Sequence, residues 1–526
     1  LDLFLGSQAW DADHSTHACL FRNDSLPGQP KFEPIEEHCG WREHAIHSSF
    51  ATDIDNDGIH ELLLGGMRHL ILQTFAPEPR QIDLFEGLSA EQRGDGCMVG
   101  SMVSLDLNYD GRLDLIIGCQ SELDTGDPVE YRKLLFVQTL DHNFRHATPD
   151  EWSRNSSLLG DQGNTLALGA ADLNHDGLQD LLVSHDAIVR ESHIDVEPGG
   201  IYVRCDPAQP CDFDARPLGQ GDRRFGAFMG SGVLQLDGLG PAVYFTDWGA
   251  NRLVSMSNPI AESIAAQWNA ELSMQNESYL YSWGVVVDDF DRDGRDDLFI
   301  GQGSIKAGRP YDYRSHYDAL LLQRTQGFDQ HSDDVGIPPF TTEDSGDEHY
   351  VYSTRSVLKT DWDYDGFLEV ISVAMEGAPR ILREVPLAPR QTPRCTLIPR
   401  SRYAHGFGTG YRIKVQGQER AWDSQGQLRS STSPYIVTPY GRGYLRFPSG
   451  ALIPYDCDER AGPFLIVEPA WLRLSRTGAL LTIETTEHRP SGALSVWVEP
   501  GRDRLATRAL SEGQHQITLP EGTQKF

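Results

Sequence analysis

One nine-residue acidic pattern occurs five times in this chain of 526 residues, and a short apolar run follows each copy. Every copy has oxygen-bearing side chains at positions 1, 3, 5 and 9 and a glycine at position 6. The copies begin at Asp53, Asp106, Asp172, Asp289 and Asp361. Because polar turn residues that arose independently would not share this phase, the copies indicate repeats of one structural unit.

The pattern predicts a loop that binds a metal ion through oxygen ligands. Glycine at position 6 permits the positive φ of a sharp turn, so the oxygens on either side of it converge on one point, and the carbonyl of position 7 adds a ligand. The candidate ligands at positions 1, 3, 5, 7 and 9 are Asp53, Asp55, Asp57, Ile59 and Glu61; Asp106, Asn108, Asp110, Arg112 and Asp114; Asp172, Asn174, Asp176, Leu178 and Asp180; Asp289, Asp291, Asp293, Arg295 and Asp297; and Asp361, Asp363, Asp365, Phe367 and Glu369.

Calcium is the metal that this ligand set favours. Six or seven oxygens in a flexible loop suit Ca²⁺ better than Mg²⁺, which demands a tighter octahedron. The ligand positions hold no sulfur or imidazole, which argues against zinc and copper. We therefore expect about five Ca²⁺ ions, one for each loop.

The flanking residues exclude an EF-hand. That motif needs a bidentate Glu at position 12 and a helix on each side. Here the acid stands at position 9, and position 12 is occupied by Leu64, Ile117, Val183, Ile300 and Ser372. The runs after the loops are short and rich in strand-forming residues, and most end in Gly or Ser. Each loop is therefore predicted to join two strands.

The composition narrows the classes of partner. A formal net charge of −32 argues against nucleic acid, which requires a basic surface, and part of this charge belongs to the loops. No apolar run approaches the roughly 18 residues of a membrane span. Neither a nucleic-acid partner nor a membrane span is predicted.

The eight cysteines indicate an oxidising compartment. They allow about 105 pairings, of which nearest-neighbour pairing is the simplest. It predicts the disulfides Cys19–Cys39, Cys97–Cys119, Cys205–Cys211 and Cys395–Cys457. Disulfides and a need for abundant Ca²⁺ together predict an extracellular, cell-surface or periplasmic location.

The spacing of the copies predicts the architecture. The gap between the third and fourth copies is about twice the usual spacing, and a degenerate copy without the acids fits it at residues 233–246. Residues 1–6 read like the end of one more repeat, which makes seven repeats, the first incomplete. Runs that begin at Cys19, Leu70, Lys133 and Leu320 are predicted third strands, and shorter runs at Lys31, Asn143 and Gly327 are predicted fourth strands. Four antiparallel strands per repeat predict an all-β fold with a seven-bladed β-propeller.

The pattern Asp-x-Asp-x-Asp-Gly-x-x-Asp-Leu with its following strands resembles the FG-GAP/VCBS repeat. That repeat builds the propeller of integrin α-subunits and of many secreted proteins. The resemblance covers residues 1–394 and implies Ca²⁺ binding at the matching positions of the five loops. It implies no metal in the degenerate copy.

Residues 395–526 form a second predicted region, which has no acidic loop. The segments 408–415 and 440–450 resemble the ASPIC/UnbV domain, which often follows FG-GAP repeats in proteins like cartilage acidic protein. An unrelated small β domain is the alternative. Residues 466–526 either complete this domain or form a separate small β-sandwich.

The expected function is binding. The chain contains no Gly-x-Ser-x-Gly, His-Glu-x-x-His or P-loop motif, so no catalytic residue is predicted. We expect a secreted calcium-binding propeller that serves adhesion or assembly at an extracellular surface, with a protein or glycan as partner. A polysaccharide lyase or hydrolase and an accessory subunit of a larger complex are the alternatives, because a propeller fold does not decide function. Uncommitted acid–base residues in the central channel would favour the enzyme, and a large buried apolar face would favour the subunit.

Overall fold

The protein is described here from a computed structural model. The described residues are 3–5, 18–26, 29, 31–39, 46–55, 59–75, 79–93, 97–108, 110, 112–120, 133–155, 158, 163–176, 178–186, 199–205, 213–217, 228–257, 262–272, 274–275, 278–279, 281–303, 318–331, 354–363, 365–374, 379–384, 394–400, 411–415, 418–422, 426–427, 430–431, 436–438, 442–447, 451–456, 464–467, 472–477, 480–485, 493–498, 503–509 and 513–518. Two short helices lie among them, α1 (Ala90–Arg93) and α2 (Pro149–Arg154). Neither has the length and apolar character of a membrane-spanning helix.

Seven antiparallel sheets follow one another along the chain, and within each sheet the strands pair in chain order. The first three are sheet 1, β1 (Leu3–Leu5), β2 (Cys19–Asn23) and β3 (Phe32–Cys39); sheet 2, β4 (Ile46–Thr52), β5 (Glu61–Gly66), β6 (Leu70–Thr74) and β7 (Arg80–Asp83); and sheet 3, β8 (Met98–Leu105), β9 (Asp114–Gln120), β10 (Lys133–Gln138) and β11 (Phe144–His146). The next two are sheet 4, β12 (Asn164–Ala171), β13 (Asp180–Asp186), β14 (Gly199–Arg204) and β15 (Phe213–Pro217); and sheet 5, β16 (Phe228–Leu236), β17 (Gly240–Asp247) and β18 (Arg252–Ser255).

A small hairpin precedes the last two of these sheets. It consists of β19 (Met274–Gln275) and β20 (Ser278–Tyr279). Sheet 6 contains β21 (Ser282–Asp288), β22 (Asp297–Gln302), β23 (Ala319–Arg324) and β24 (Gly327–Gln330), and sheet 7 contains β25 (Thr354–Thr360), β26 (Glu369–Ala374) and β27 (Arg380–Arg383). The predicted third strands occur as β2, β6, β10 and β23, and the predicted fourth strands as β3, β11 and β24.

The apolar runs after the acidic loops form second strands that are buried on both faces. In β5, Leu62 and Leu64 pack toward sheet 1, whereas Leu63 packs toward sheet 3. In β9, Ile117 packs toward sheet 2 and Ile116 toward sheet 4. Because successive strand residues point to opposite faces, a strand between two neighbouring sheets must be apolar at every position. This explains why the runs do not alternate with polar residues.

The sheets pack in a cycle. A buried apolar cluster joins each sheet to the next, from sheet 1 to sheet 7. Sheet 7 then packs on sheet 1, where Leu3 contacts Trp362 and Ile371. The Phe32 and Trp362 rings meet edge to face at 4.8 Å, and Asn23 Nδ2 donates to Trp362 O at 2.8 Å. Antiparallel sheets stacked in this way form a β-propeller, so the predicted all-β propeller fold is confirmed.

The degenerate copy at residues 233–246 keeps the predicted strand–turn–strand form. Strands β16 and β17 pair up to Leu236 and Gly240, and only residues 237–239 connect them. Gly238 and Gly240 have φ values of 77° and 86°, which suit a tight hairpin connection. Sheet 5 therefore has a short turn at the place where five other sheets carry an acidic loop.

Glycine lies near the end of several second strands because the next sheet approaches closely there. A Cβ on Gly65 would lie 2.4 Å from Val99 Cγ1, and one on Gly118 would lie 2.5 Å from Thr165 Cγ2. A Cβ on Gly301 would lie 2.4 Å from Thr354 Cγ2. The first strand of the following sheet therefore packs directly on each glycine.

The chain continues after Arg394 in a further set of sheets. They contain β28 (Cys395–Arg400), β29 (Tyr411–Val415), β30 (Gln418–Trp422), β31 (Gly426–Gln427), β32 (Ser430–Ser431), β33 (Ile436–Thr438), β34 (Arg442–Arg446), β35 (Leu452–Asp456), β36 (Phe464–Val467), β37 (Leu472–Thr477), β38 (Leu480–Thr485), β39 (Ala493–Val498), β40 (Asp503–Ala509) and β41 (Gly513–Thr518). Strand β28 pairs antiparallel with β33 and parallel with β36. A buried cluster that includes Leu397, Ile413, Leu445 and Phe447 gives this region a core of its own.

Two predicted disulfides are confirmed, Cys19–Cys39 and Cys97–Cys119. The first joins β2 to β3, and the second links the segment before β8 to β9. Cys205 and Cys395 are also disulfide-bonded. Their predicted partners, Cys211 and Cys457, lie outside the described residues.

We predict that Gly118→Ala destabilises the protein by about 1–3 kcal/mol, because the new methyl group overlaps buried Thr165 at the contact between sheets 3 and 4. The free energy of unfolding is measured by urea denaturation. The double variant Gly118→Ala/Thr165→Ser is expected to recover part of the loss, since the serine lacks Cγ2 and leaves only the overlap with Cβ, which would lie 2.7 Å from the methyl group. Additive losses in the double variant would contradict this account.

Candidate metal centre

Each acidic loop joins the first and second strands of one sheet. The five loops belong to sheets 2, 3, 4, 6 and 7 and lie between β4 and β5, β8 and β9, β12 and β13, β21 and β22, and β25 and β26. Every position-9 acid is the first residue of a second strand, and every position-1 acid follows a first strand directly. The loops therefore occupy one equivalent corner of five sheets.

The backbone turns at position 6 as predicted wherever that residue is described. Gly294 has a φ of 92° and Gly366 a φ of 85°. The other three position-6 glycines, Gly58, Gly111 and Gly177, lie outside the described residues, as does Asp57. Left-handed φ is readily available to glycine, and it folds the loop back on itself here.

In the third and fourth loops, where position 4 is described, that residue also takes a left-handed conformation, which the sequence pattern does not indicate. His175 has a φ of 62° and Arg292 a φ of 60°. The five copies carry Asn56, Tyr109, His175, Arg292 and Tyr364 at this position. Because these residue types share no turn preference, the sequence offers no signal for the second reversal.

Three loops bring acidic groups together. The groups are Asp53, Asp55 and Glu61; Asp289, Asp291 and Asp297; and Asp361, Asp363 and Asp365. Within each group, one ligand oxygen from every member lies within 4.8 Å of the others. The position-1 acids Asp53, Asp289 and Asp361 are all buried. These separations are those of oxygens that converge on one cation.

The second and third loops are built differently at position 3. Asn108 Nδ2 donates to Asp110 Oδ2 at 3.0 Å, and Asn174 Nδ2 donates to Asp176 Oδ2 at 2.8 Å. Among the described residues, neither loop forms a group of three acids like those of the other loops. One carboxylate in each of these two loops is replaced by an amide, so these loops offer a cation less negative charge than the other three.

Backbone N–H groups orient the loop oxygens in a repeated way. The position-5 N–H donates to the position-3 side chain in four loops, at 3.0–3.2 Å, and the position-7 N–H donates to the position-5 carboxylate in the same loops, at 2.8–2.9 Å. Gly294 N and Gly366 N donate to the position-1 carboxylates Asp289 and Asp361 at 2.9 and 3.1 Å. The carboxylates are thus held in place by the loop itself. The ligand role of the position-7 carbonyl stays a prediction.

The position-9 acid closes every loop. One of its oxygens accepts the N–H of position 2 at 2.7–2.9 Å in all five copies. Where the acid is Asp, its other oxygen accepts an N–H from the third strand, as Asp114 does from Gln138 at 2.9 Å. Where it is Glu369, the buried Oε1 accepts no hydrogen bond and lies 3.7 Å from Arg383 Nε. The longer Glu therefore keeps an oxygen available for a ligand.

The buried acids have strongly raised pKa values. Burial raises the pKa of Asp114 to about 7, and that of Asp180, Asp297 and Glu369 to about 8. Hydrogen bonds from backbone N–H groups lower these pKa values, and the other carboxylates of each loop raise them. Both burial and mutual repulsion oppose ionisation, and a divalent cation within the loop would offset both.

Arginines partly compensate the charge at the rims of the loops. Arg324 Nη1 donates to Asp291 Oδ2 at 2.7 Å and lies 3.4 Å from Asp293 Oδ2. Arg383 pairs with Asp365 in the fifth loop, and Arg112 pairs with Asp110 in the second. Arg383 also lies 3.7 Å from the position-9 acid Glu369, so these partly exposed arginines offset part of the negative charge of the loops.

A side chain near the end of the third strand ties each of several loops to the neighbouring sheet. Gln138 Nε2 of sheet 3 donates to Ile54 O of the first loop at 2.9 Å. Arg204 Nη2 of sheet 4 donates to Asp106 O and Leu107 O of the second loop at 3.0 and 2.6 Å. A similar contact joins sheet 6 to sheet 5, where Gln323 Nε2 donates to Gln235 O at 3.1 Å.

A buried ionic network links the fourth and fifth loops. Arg394 is fully buried and donates to Asp288 Oδ1 at 2.6 Å, to Glu384 Oε2 at 2.9 Å and to Asp289 O at 2.6 Å. Lys359 Nζ donates to Asp288 Oδ2 at 2.6 Å, and Arg292 Nε donates to Glu384 Oε1 at 2.5 Å. Burial opposes ionisation of Asp288, but the two cations around it lower its pKa overall.

The ligand chemistry fits calcium. The groups contain only oxygen donors, they are held by backbone N–H groups, and a buried Glu369 oxygen accepts no hydrogen bond. Hard oxygens in a loop of this flexibility suit Ca²⁺. The residues that would hold the ion are those of positions 1, 3, 5 and 9, and the ion would supply the positive charge that these acids need.

Strands of the chain after Arg394 approach the inner strands of the propeller. The hairpin β31–β32 contacts β4, β8, β12 and β16, the first strands of sheets 2 to 5. The first strand of a propeller sheet lies nearest the central axis. The hairpin therefore lies against the central channel on the side of these four sheets.

Comparisons with known proteins give one relative in sequence. No protein-family model matches the chain. Integrin alpha pat-2 of Caenorhabditis briggsae is 28% identical over 239 residues, which cover 41% of this chain and 19% of the integrin. The chain thus matches less than a fifth of that relative's length. The similarity is to an integrin α-subunit, the class of protein that the acidic repeats resemble.

Solved structures of low sequence identity are also similar. An Agrocybe aegerita lectin that recognises non-reducing terminal N-acetylglucosamine is 12% identical, with a TM-score of 0.41 over 73% of this chain and 90% of the lectin. The Dos1 propeller is 10% identical, with a TM-score of 0.36 over 70% of this chain and 75% of its own. A Bombyx mori GH32 β-fructofuranosidase is 10% identical, with a TM-score of 0.29 over 89% and 87%. Similarities this distant assign none of these functions to the chain.

We predict that Arg204→Met lowers the free energy of unfolding by about 2–3 kcal/mol, because two loop carbonyls of the neighbouring sheet lose a charged donor in a buried place. The matched control is Arg145→Met, which breaks the more exposed pair with Glu151 and is expected to cost less than about 1 kcal/mol. Equal losses in the two variants, measured by urea denaturation, would refute a role for Arg204 between the sheets.

Proposed function

We propose that this protein is a secreted, calcium-binding β-propeller of seven blades that acts as an adhesion or binding module in an extracellular or cell-surface assembly. The observation that carries the proposal is the convergence of acidic oxygens in the first, fourth and fifth loops, within 4.8 Å of one another. The sequence similarity to an integrin α-subunit supports the same function. The disulfides are consistent with a location outside the cytosol.

Calcium has a structural role in this proposal. Each ion fixes the corner between the first two strands of a blade and offsets the repulsion among buried carboxylates. The ligands are the residues of positions 1, 3, 5 and 9 together with the position-7 carbonyls, in about five loops. The rigid ring then presents its surface loops to a protein or glycan partner.

We also propose that residues 395–526 form a separate domain of the ASPIC/UnbV kind. The buried cluster around Leu397 and Phe447 supports a core that is distinct from the blades. The three-stranded sheet β37–β38–β41 and the pair β39–β40 accommodate either reading of residues 466–526, as part of this domain or as a small sandwich.

Binding is favoured over catalysis by the position of the C-terminal hairpin. An enzyme of this fold would be expected to place acid–base residues in an accessible central channel. The hairpin β31–β32 lies against the inner strands of four sheets, which restricts that channel. Four acids whose pKa values burial raises to about 7 or 8, Asp114, Asp180, Asp297 and Glu369, belong to the loops, where they serve as metal ligands in this proposal.

Removal of calcium is predicted to lower the melting temperature sharply. A ligand present at about 100 times its dissociation constant stabilises the folded state by about 2.7 kcal/mol for each site. Differential scanning calorimetry with excess calcium and with excess EGTA measures the difference. Identical melting curves in the two conditions would contradict calcium binding by the loops.

The variant Asp363→Ala is predicted to remove one calcium ion from the stoichiometry measured by isothermal titration calorimetry, because it takes the position-3 oxygen from the fifth loop. Asp363 is a buried member of the fifth acidic group. The control Asp150→Ala removes the same charge from an exposed side chain outside the loops, and it is expected to leave the stoichiometry unchanged. Loss of a site in the control, or its retention in Asp363→Ala, would argue against the assigned ligands.

A binding function is tested with the calcium-loaded protein on arrays of glycans and extracellular proteins. We expect a saturable partner that is lost in EGTA, because the loops support the surface that binds it. The same preparation is incubated with polysaccharides. Release of new sugar ends, without stable binding to any partner, would favour the enzyme in place of the binding module.

A further inference from the structure

We propose that calcium in the fifth loop controls whether the C-terminal hairpin β31–β32 stays against the inner strands of the propeller. This inference rests on the proposed function, since it assumes that the fifth loop binds calcium. It assigns to that one site a role beyond stabilising its own blade. The fifth loop contacts the chain after the propeller through its position-1 carboxylate, which accepts a hydrogen bond from Thr396, whereas the fourth loop contacts Arg394 through the backbone carbonyl of Asp289.

The hairpin needs support from elsewhere. Each of its strands has two residues, paired as Gly426 with Ser431 and Gln427 with Ser430. Ordering the backbone of so short a segment costs conformational entropy, and the two residue pairs of the hairpin do not offset that cost. Its contacts with β4, β8, β12 and β16 therefore depend on how the rest of the C-terminal region is held.

The support begins at two residues that we call the latch, Arg394 and Thr396. Arg394 N donates to Gly366 O at 2.7 Å, so the latch is bonded to the turn glycine of the fifth loop. Thr396 Oγ1 donates to Asp361 Oδ2 at 3.1 Å, and Thr396 is fully buried. The latch therefore contacts both the position-1 acid and the position-6 turn of one calcium loop.

The same acid oxygen also holds the turn. Gly366 N donates to Asp361 Oδ2 at 3.1 Å, and Asp365 N donates to Asp361 Oδ1 at 3.0 Å. A cation bound by Asp361 fixes this carboxylate, and through it the turn and both partners of the latch. Without the cation, the carboxylates of the fifth loop repel one another and the partners of the latch lose their fixed positions.

A continuous path leads from the latch to the hairpin. Thr396 lies in β28, whose residues pair with β33, as Cys395 does with Thr438 and Leu397 with Ile436. Strand β33 begins shortly after the hairpin ends at Ser431. Displacement of β28 therefore displaces β33 and the chain that enters it, which carries the hairpin.

Hydrogen exchange of the full-length protein tests the inference. Calcium is expected to slow the exchange of amides in residues 426–431 by about tenfold relative to EGTA, the effect of losing one charge-assisted hydrogen bond from the path. Calcium binding is measured on the same sample by isothermal titration calorimetry. Binding with no change in hairpin exchange overturns this inference alone, whereas no binding overturns the proposed function.

Two position-1 variants separate the fifth loop from the others. Asp361→Asn is expected to abolish the calcium dependence of exchange in the hairpin. Asp172→Asn removes an equally buried acid from the third loop and is expected to preserve that dependence. The same loss in both variants means that calcium acts on the ring as a whole, which overturns the assignment to the fifth loop.

The variant Thr396→Val keeps the test decisive if Asp361→Asn does not fold. Valine preserves the shape of the side chain and removes the hydroxyl that donates to Asp361. We expect an unchanged calcium stoichiometry and faster exchange of the hairpin in the presence of calcium. The control Thr139→Val, at a part-buried threonine beside Asn143 in sheet 3, is expected to leave hairpin exchange unchanged. Wild-type exchange in Thr396→Val would refute the latch.

Discussion

Repulsion among buried carboxylates is the constraint on which the rest of this structure depends. The loops concentrate acids at corners that the packed sheets shield from water, and burial pushes the pKa of Asp297 and Glu369 up to about 8. Backbone N–H groups orient the oxygens but carry too little positive charge to balance them. The repulsion is therefore concentrated where a divalent cation would relieve it, and such a cation would strengthen the corners of the five sheets that carry an acidic loop.

The strain does not remain local, because the loops are bonded to their neighbours. Arg204 and Gln138 reach from one sheet to the loop of the preceding sheet. Arg394 connects the fourth loop to the fifth through Asp288 and Glu384. Since the sheets share apolar clusters as well, a change at one corner reaches the next through two kinds of contact. Stability of the ring is thus a joint property of its loops.

Much of this architecture can be predicted from the sequence because it repeats. The phase of the acids, the position-6 glycines such as Gly294 and the unbroken apolar runs indicate the loops, their turn and the two-sided burial of the second strand. The shortened copy in sheet 5 could also be located, since its strands keep the spacing of the others. Periodic features can be recognised in the sequence because every repeat must satisfy the same packing.

Two kinds of contact could not be predicted from the sequence. Some occur only once in the ring, and others recur in several sheets but are made by a different residue type in each. Gln138 and Arg204 serve one purpose with different chemistry, so no pattern marks them. The left-handed backbone at His175 and Arg292 has no shared residue type either. The burial of Arg394 depends on partners that are distant in sequence, Asp288 and Asp289. Such contacts are set by the tertiary arrangement and leave no local signature.

The closure of the ring differs from its other junctions. The chain itself runs from each sheet to the next, but the contact of sheet 7 with sheet 1 joins two segments that are far apart in sequence, Leu3 and Trp362. Trp362 is position 2 of the fifth loop, and its N–H is held by Glu369 at 2.9 Å. Under a pulling force the ring can open at this contact, because the chain does not run directly from sheet 7 to sheet 1. The ion beside it would then set the mechanical strength of the whole disc.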